Sequence, residues 1–311
     1  MIPASRLRAG EVQFASQGKE DGAAKEADGA TNAVAFQFVA ELAQEVSAGH
    51  VELPAFPDVA MRVRKALADE NVGAEQIARI VGSEPGLAAR VLALANSAAL
   101  NRGGKPISEL RTAVSRIGHN NVRTAAVSFA ITQLRRAGEL RAITKQLEAL
   151  WKEATMVAAL SHAIGSRCQG VNSDEAMLGG LMHNVGKIYI LARAHKHPTL
   201  FGDAKAMDSI MRSWHSNIGK AIIENWGFPE QIAEAVGEHE NIDRRGGNPD
   251  VTDVLTVATM MAAFFGQEAD LELNMQGVRA FTRLGLDNAK CAQIMRDCVD
   301  EIAALRTALG D

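Results

Sequence analysis

His183, Asn184 and Lys187 fall close together inside an otherwise apolar stretch, Leu178-Gly-Gly-Leu-Met-His-Asn-Val-Gly-Lys-Ile-Tyr-Ile-Leu191. Histidine is the side chain best suited to carrying a proton or holding a metal near neutral pH, and lysine can meet an anionic group. Leu178, Leu181, Val185, Ile188 and Leu191 recur at helical spacing, so the stretch reads as one helix with a buried face. Gly179, Gly180 and Gly186 are poor helix formers, and their presence there implies close approach by other backbone. A polar pair on so glycine-rich a helix reads as the centre of a site.

The rest of the chain must position it. With 311 residues, 47% hydrophobic and 23% charged, the composition is that of a globular protein with a substantial core. A net charge of -4 without a long basic run argues against a nucleic-acid or membrane partner driven by electrostatics. Cys168, Cys291 and Cys298 are scattered and form no Cys-x-x-Cys pair, so they read as reduced thiols in a cytoplasmic protein. No secretory signal core and no apolar run of membrane-spanning length occurs.

Residues 1–32, rich in Gly, Ala, Lys, Glu and Asp, are expected to be a disordered tail. Phe36, Val39, Leu42, Ala43 and Val46 then mark an amphipathic helix, and Val59, Met61, Val63 and Leu67 another. Residues 73–81 and 83–96 form a helix pair, with Ser83 the expected N-cap and Pro85 in the first turn. Further helices are expected over 107–117, closing at Gly118, and over 122–134. No period-two alternation appears, so the expectation is an all-α, two-lobed helical bundle with lobes of about 33–135 and 149–242. Residues 243–311 are expected to add C-terminal helices packing on the second lobe.

Several motifs in order carry a family resemblance. These are Leu53-Pro-x-x-Pro57, Glu84-Pro-Gly-Leu-Ala-Ala-Arg-Val-Leu92, Leu94-Ala-Asn-Ser97, Ala113-Val-Ser-Arg-Ile-Gly118, Leu150-Trp-Lys-Glu-Ala-Thr155, the stretch from Leu178 to Lys187, His215-Ser-Asn-Ile-Gly219 and Trp226-Gly-Phe-Pro-Glu230. Together, over roughly residues 50–242, they resemble the HDOD family, a degenerate branch of the HD phosphohydrolase superfamily. Glu84 stands where the family usually has Asp. The resemblance implies that the second lobe is HD-domain-like.

By the same resemblance, an HD metal site would map onto Glu153, His183, Asn184, His215, His239 (in the pair Glu238-His239) and Thr259. Three histidines are kept, while Asn184 and Thr259 offer only neutral oxygens where the pattern has aspartates. A divalent ion polarises a phosphoryl oxygen and activates water, and needs anionic ligands to do so. The expectation is therefore a vestigial site with no catalytic residue and no cofactor; if any were bound, it would be a divalent transition metal. Lys187 reads as a possible pocket residue and otherwise as a solvated lysine of the loop motif.

The resemblance implies a non-enzymatic module of bacterial signal transduction, acting through a signalling protein partner or a nucleotide second messenger. The alternative is a metal-dependent phosphohydrolase acting on a nucleotide or cyclic dinucleotide. A DNA-binding regulator is a minor alternative, because the helix pair at 74–95 mimics a helix-turn-helix. Its second helix opens on Glu84-Pro-Gly-Leu-Ala-Ala, with Arg90 the first cation, a start that repels phosphate and reads no bases.

Overall fold

The computed structural model describes residues 22–48, 57–69, 71–102 and 104–310, and among them every regular element is a helix. Helix α1 (Gly22–Ser47) opens the described chain. It starts inside the stretch read as disordered, where Ala23, Ala24, Lys25, Glu26 and Ala27 are all strong helix formers; residues 1–21 of that stretch lie outside the described residues. Phe38 and Leu42, one turn apart, bury the inner face of α1. Phe36, expected on that face, is 78% exposed.

The first lobe comprises α2 (Asp58–Ala66), α3 (Ala74–Gly82), α4 (Pro85–Ala95) and the long α5 (Leu110–Arg136). Pro85 occupies the first turn of α4 as expected, but the N-cap is Glu84, whose carboxylate accepts from the Gly86 amide, while Ser83 ends α3. Gly118, at φ 74°, interrupts α5 with a non-helical residue. Only glycine adopts that conformation freely, which is why the motif ends on it. Leu87, Val91 and Leu94 of α4 are fully buried, and α4 packs along α5, so this face of the helix is core.

A short 3-10 helix, Gly138–Ile143, leads into α6 (Thr144–Gly165). Around α6 stand α7 (Ser173–Met182), α8 (Val185–Ala194), α9 (Pro198–Gly202), α10 (Ala204–Asn225), α11 (Glu230–Glu238) and α12 (Val251–Ala263). The chain closes with α13 (Glu268–Met275), α14 (Arg279–Arg283), α15 (Asn288–Asp297) and α16 (Val299–Leu309).

Two polar ties hold the last helices. Asp253, 1% exposed, receives Arg283 on both carboxylate oxygens and fixes α14 to α12, with Arg244 alongside at 3.4 Å. α16 does more than pack on the second lobe. It lies along α6 but also reaches α4 and α5, and its Leu309 carbonyl accepts from Arg90 at 2.6 Å and Ser128 at 2.7 Å. Trp151 donates to the Gly310 carbonyl at 3.2 Å. The apolar pattern of a helix tells that it has a partner face but not which helices fill it.

Candidate functional site

The stretch that reads as one helix is two. α7 ends at Met182, His183 and Asn184 form the turn, and α8 begins at Val185. The apolar spacing runs unbroken across the turn because both helices are buried nearly all round. His183 and Asn184 are thereby placed at a helix junction inside the lobe, 0% and 1% exposed.

Glycine makes the junction fit. A Cβ on Gly186 would stand 1.9 Å from the His215 carbonyl oxygen of α10, and one on Gly180 would stand 2.7 Å from the Ala158 Cα of α6. The expectation of close backbone approach therefore holds at these two positions. It does not hold at Gly179, whose Cβ would meet only ordinary side-chain contacts from 3.8 Å outward.

These contacts gather three imidazoles. His183 and His239 rings lie 5.5 Å apart and His215 and His239 rings 5.7 Å apart, both edge to face. Each Nδ1 meets a backbone carbonyl: Gly180 for His183 at 2.7 Å, Met211 for His215 at 2.7 Å and Val236 for His239 at 2.9 Å. A carbonyl only accepts, so each Nδ1 carries a proton, and the nitrogen left to face a ligand is Nε2. This is the arrangement in which a backbone partner fixes the tautomer of a metal-ligating histidine. The Nε2 atoms of His183 and His239 are buried without a hydrogen-bond partner, as are both amide atoms of Asn184.

Two carboxylates edge the pocket. Glu153 lies 3.6 Å from His183 Nε2, and Glu240 lies 3.2 Å from His215 Nε2. Burial pushes both carboxyls up, but the adjoining imidazoles pull them further down, helped by the Lys187 charge, and each settles at about 2. Burial dominates at His239 and holds it down at about 3, so it stays neutral at physiological pH.

Glu153, His183, Asn184, His215, His239 and the Lys187 charge thus lie near one another in the second lobe. Thr259 contributes nothing that faces a ligand: its hydroxyl donates to the Leu255 carbonyl of its own helix at 2.8 Å. Glu240 is the residue the sequence reading missed. That reading looked to Glu238, whose carboxylate instead accepts from Asn241. α11 stops at Glu238, and the turn after it swings Glu240 back to His215. Its place directly after His239 was the only available signal.

The model of the HDOD domain family matches residues 53–242, which is more than half of the chain. The chain belongs to the HDOD domain family. An uncharacterised protein of Treponema pallidum (strain Nichols) is 22% identical over 247 residues, or 75% of this chain; the chain spans 46% of that protein's length. A solved structure from Shewanella amazonensis SB2B, whose name proposes a metal-dependent phosphohydrolase, covers 88% of the chain with 99% of its own. Its TM-score is 0.72 at 24% identity. One from Marinobacter aquaeolei VT8, whose name proposes a signal transduction protein, covers 90% of the chain with 66% of its own, at a TM-score of 0.58 and 19% identity. At these identities the likeness is one of fold, and it agrees with the all-helical, HD-like architecture.

The superfamily implies metal in this HDOD pocket, and the donors can be compared with that requirement. The two-ion arrangement needs a carboxylate to bridge, and Asn184 has only a neutral amide oxygen. Imidazole nitrogen and carboxylate oxygen do suit a divalent ion of borderline softness. His215, His239 and Glu240 bring donor atoms within 4.8 Å of one another. Such an ion, when bound, would supply Lewis acidity and a positive charge to an anionic ligand. The chain's own part is to hold the rings in one tautomer and to set Lys187 beside the carboxylates.

Proposed function

We propose that this HDOD protein is a non-hydrolytic regulatory module of bacterial signal transduction, working in the cytoplasm by binding a signalling protein or a nucleotide second messenger. One observation carries the reading. At the two positions where the HD pattern puts aspartates stand Asn184, a neutral amide beside Glu153, and Thr259, whose hydroxyl donates to its own helix. Without an anionic bridge, the two-ion arrangement that activates water in the superfamily is not available. The signalling role is what HDOD membership implies, and the name of the Marinobacter neighbour agrees with it.

The second reading is a metal-dependent phosphohydrolase, as the name of the Shewanella neighbour proposes. The oriented imidazoles favour it. Assaying the full chain against cyclic dinucleotides and generic phosphodiesters, with Mn²⁺, Fe²⁺ or Zn²⁺ added, separates the two. The regulatory reading expects no turnover above buffer. Metal-dependent turnover that disappears in His183→Ala would replace it by the hydrolase.

A further inference from the structure

Glu240 changes what the pocket can hold. We infer that the chain binds a single divalent transition-metal ion, of the zinc class, through His215 Nε2, His239 Nε2 and a Glu240 carboxylate oxygen. The ion would join α10 to the turn that follows α11. The inference is independent of whether the protein hydrolyses anything.

Four features support it. The three donors come within 4.8 Å of one another before any ion draws them in, and zinc takes nitrogen and oxygen ligands at about 2.0–2.2 Å. The two rings have their Nδ1 atoms held by Met211 and Val236, so both lone pairs are already presented and no ring must flip. His239 Nε2 is fully enclosed with no partner, an acceptor aimed into the pocket with nothing to accept from. Finally, Glu240 Oε1 faces His215 Nε2 at 3.2 Å. Ser216 supplies only a weak hydroxyl contact to that nitrogen at 3.3 Å. Two acceptors that close repel unless something positive lies between them, either a proton on the ring or a metal ion.

Charge and access also permit the ion. The buried imidazoles add no charge when neutral, and Glu153 and Glu240 against Lys187 leave one negative charge in excess. The Glu240 side chain is 42% exposed, which provides a way in from solvent and leaves room for a water or an anionic ligand as the fourth donor.

The test uses the full chain, stripped with chelator and dialysed, then titrated with Zn²⁺ by calorimetry and with Co²⁺ by visible absorption. One ion per chain is expected, with a Co²⁺ band of the intensity given by low-coordinate nitrogen and oxygen ligation. Losing a group that only orients a ligand costs roughly 10–100-fold in affinity, so losing a ligand itself should cost at least that. Glu240→Gln, at the exposed edge of the pocket, should keep the helical circular dichroism and weaken binding by more than about tenfold. His239→Ala should abolish it. No heat and no Co²⁺ band would mean that only a proton bridges His215 and Glu240, and would overturn the inference. Binding equally tight in Glu240→Gln would overturn it too, by placing the ion elsewhere. Neither result touches the regulatory reading, which stands or falls on turnover.

Discussion

Replacing Gly186 by alanine adds one methyl group, yet it should be among the most damaging single changes in the second lobe. The new Cβ would stand 1.9 Å from the His215 carbonyl oxygen, 2.8 Å from its carbon and 2.9 Å from the Gly219 nitrogen. All three atoms are backbone of α10, so no side chain can rotate away. Ordinary contact requires about 3.4 Å, so α8 and α10 must separate by more than 1 Å along the line of contact. Overpacking a core costs about 1–3 kcal/mol when side chains can adjust, and more when they cannot. Here the separation also loosens Ile188 of α8 and Ile218 and Ile222 of α10, all buried. A loss of about 3–5 kcal/mol is expected, in the range of the large core effects. The internal comparison is Gly179→Ala, where the new methyl meets nothing closer than 3.8 Å. Alanine is better than glycine in a helix by about 1 kcal/mol, so that variant should be neutral or slightly stabilised. Urea unfolding followed by circular dichroism measures both. A cost below about 1 kcal/mol for Gly186→Ala would show that the helix contact is looser than described, and would refute the account of how His183 and His215 are brought together.

Leu87→Ala, at a fully buried position of α4, should cost about 2–5 kcal/mol in the same urea assay, and fluorescence anisotropy should detect no duplex DNA binding at physiological salt. DNA binding abolished by Arg90→Ala would contradict the inward role of Arg90 on Ser128 and Leu309. Asp253→Ala should cost about 3–5 kcal/mol by leaving Arg283 without its buried partner, and a fall in melting temperature no larger than that of an exposed control would contradict this. His162 is 5% exposed and burial lowers its pKa, the nearby Asp174 only partly opposing this. Its folded value lies below the ordinary 6.5, so the unfolded chain binds more protons in that window and stability falls as pH drops below about 6.5. His162→Gln should lose less stability than the parent between pH 7.5 and 5; an equal loss would remove His162 from the acid response.

The helical class, the order of the motifs and the break at Gly118 were all legible in the sequence, because each has a local cause. Glycine at positive φ, proline in a first turn and apolar spacing act within a few residues. The gathering of the histidines was legible only through the family resemblance, since residues 183, 215 and 239 share no local pattern. What escaped local reasoning depends on tertiary partners. Phe36 and Phe38 suit an apolar face about equally by type, and only the packing of α1 buries the second. Ser83 is the better N-cap by propensity, but Pro85 takes the first helical position and leaves the cap to Glu84. The junction at His183 and Asn184 keeps the apolar phase of both helices, so periodicity passes over it. Glu240 lies beyond the end of α11, where direction is set by a turn and not by a repeat.

The same comparison explains why such a site can change its chemistry and keep its shape. The interactions that place the three rings come from the surrounding backbone. Backbone carbonyls of Gly180, Met211 and Val236 hold the Nδ1 atoms, and the contact of Gly186 with α10 sets the separation of His183 from His215. The carboxylates that an HD enzyme needs take no part in that framework. Asparagine at position 184 occupies nearly the volume of aspartate, and Thr259 satisfies itself on its own helix. Neutral residues at those two positions therefore take no packing away from the framework. The glycines and the ring-to-carbonyl bonds carry the structural burden, while the identity of the anionic residues decides only what the pocket holds. Glu240, supplied by a turn outside the framework, is the kind of residue that can relocate an ion without disturbing it.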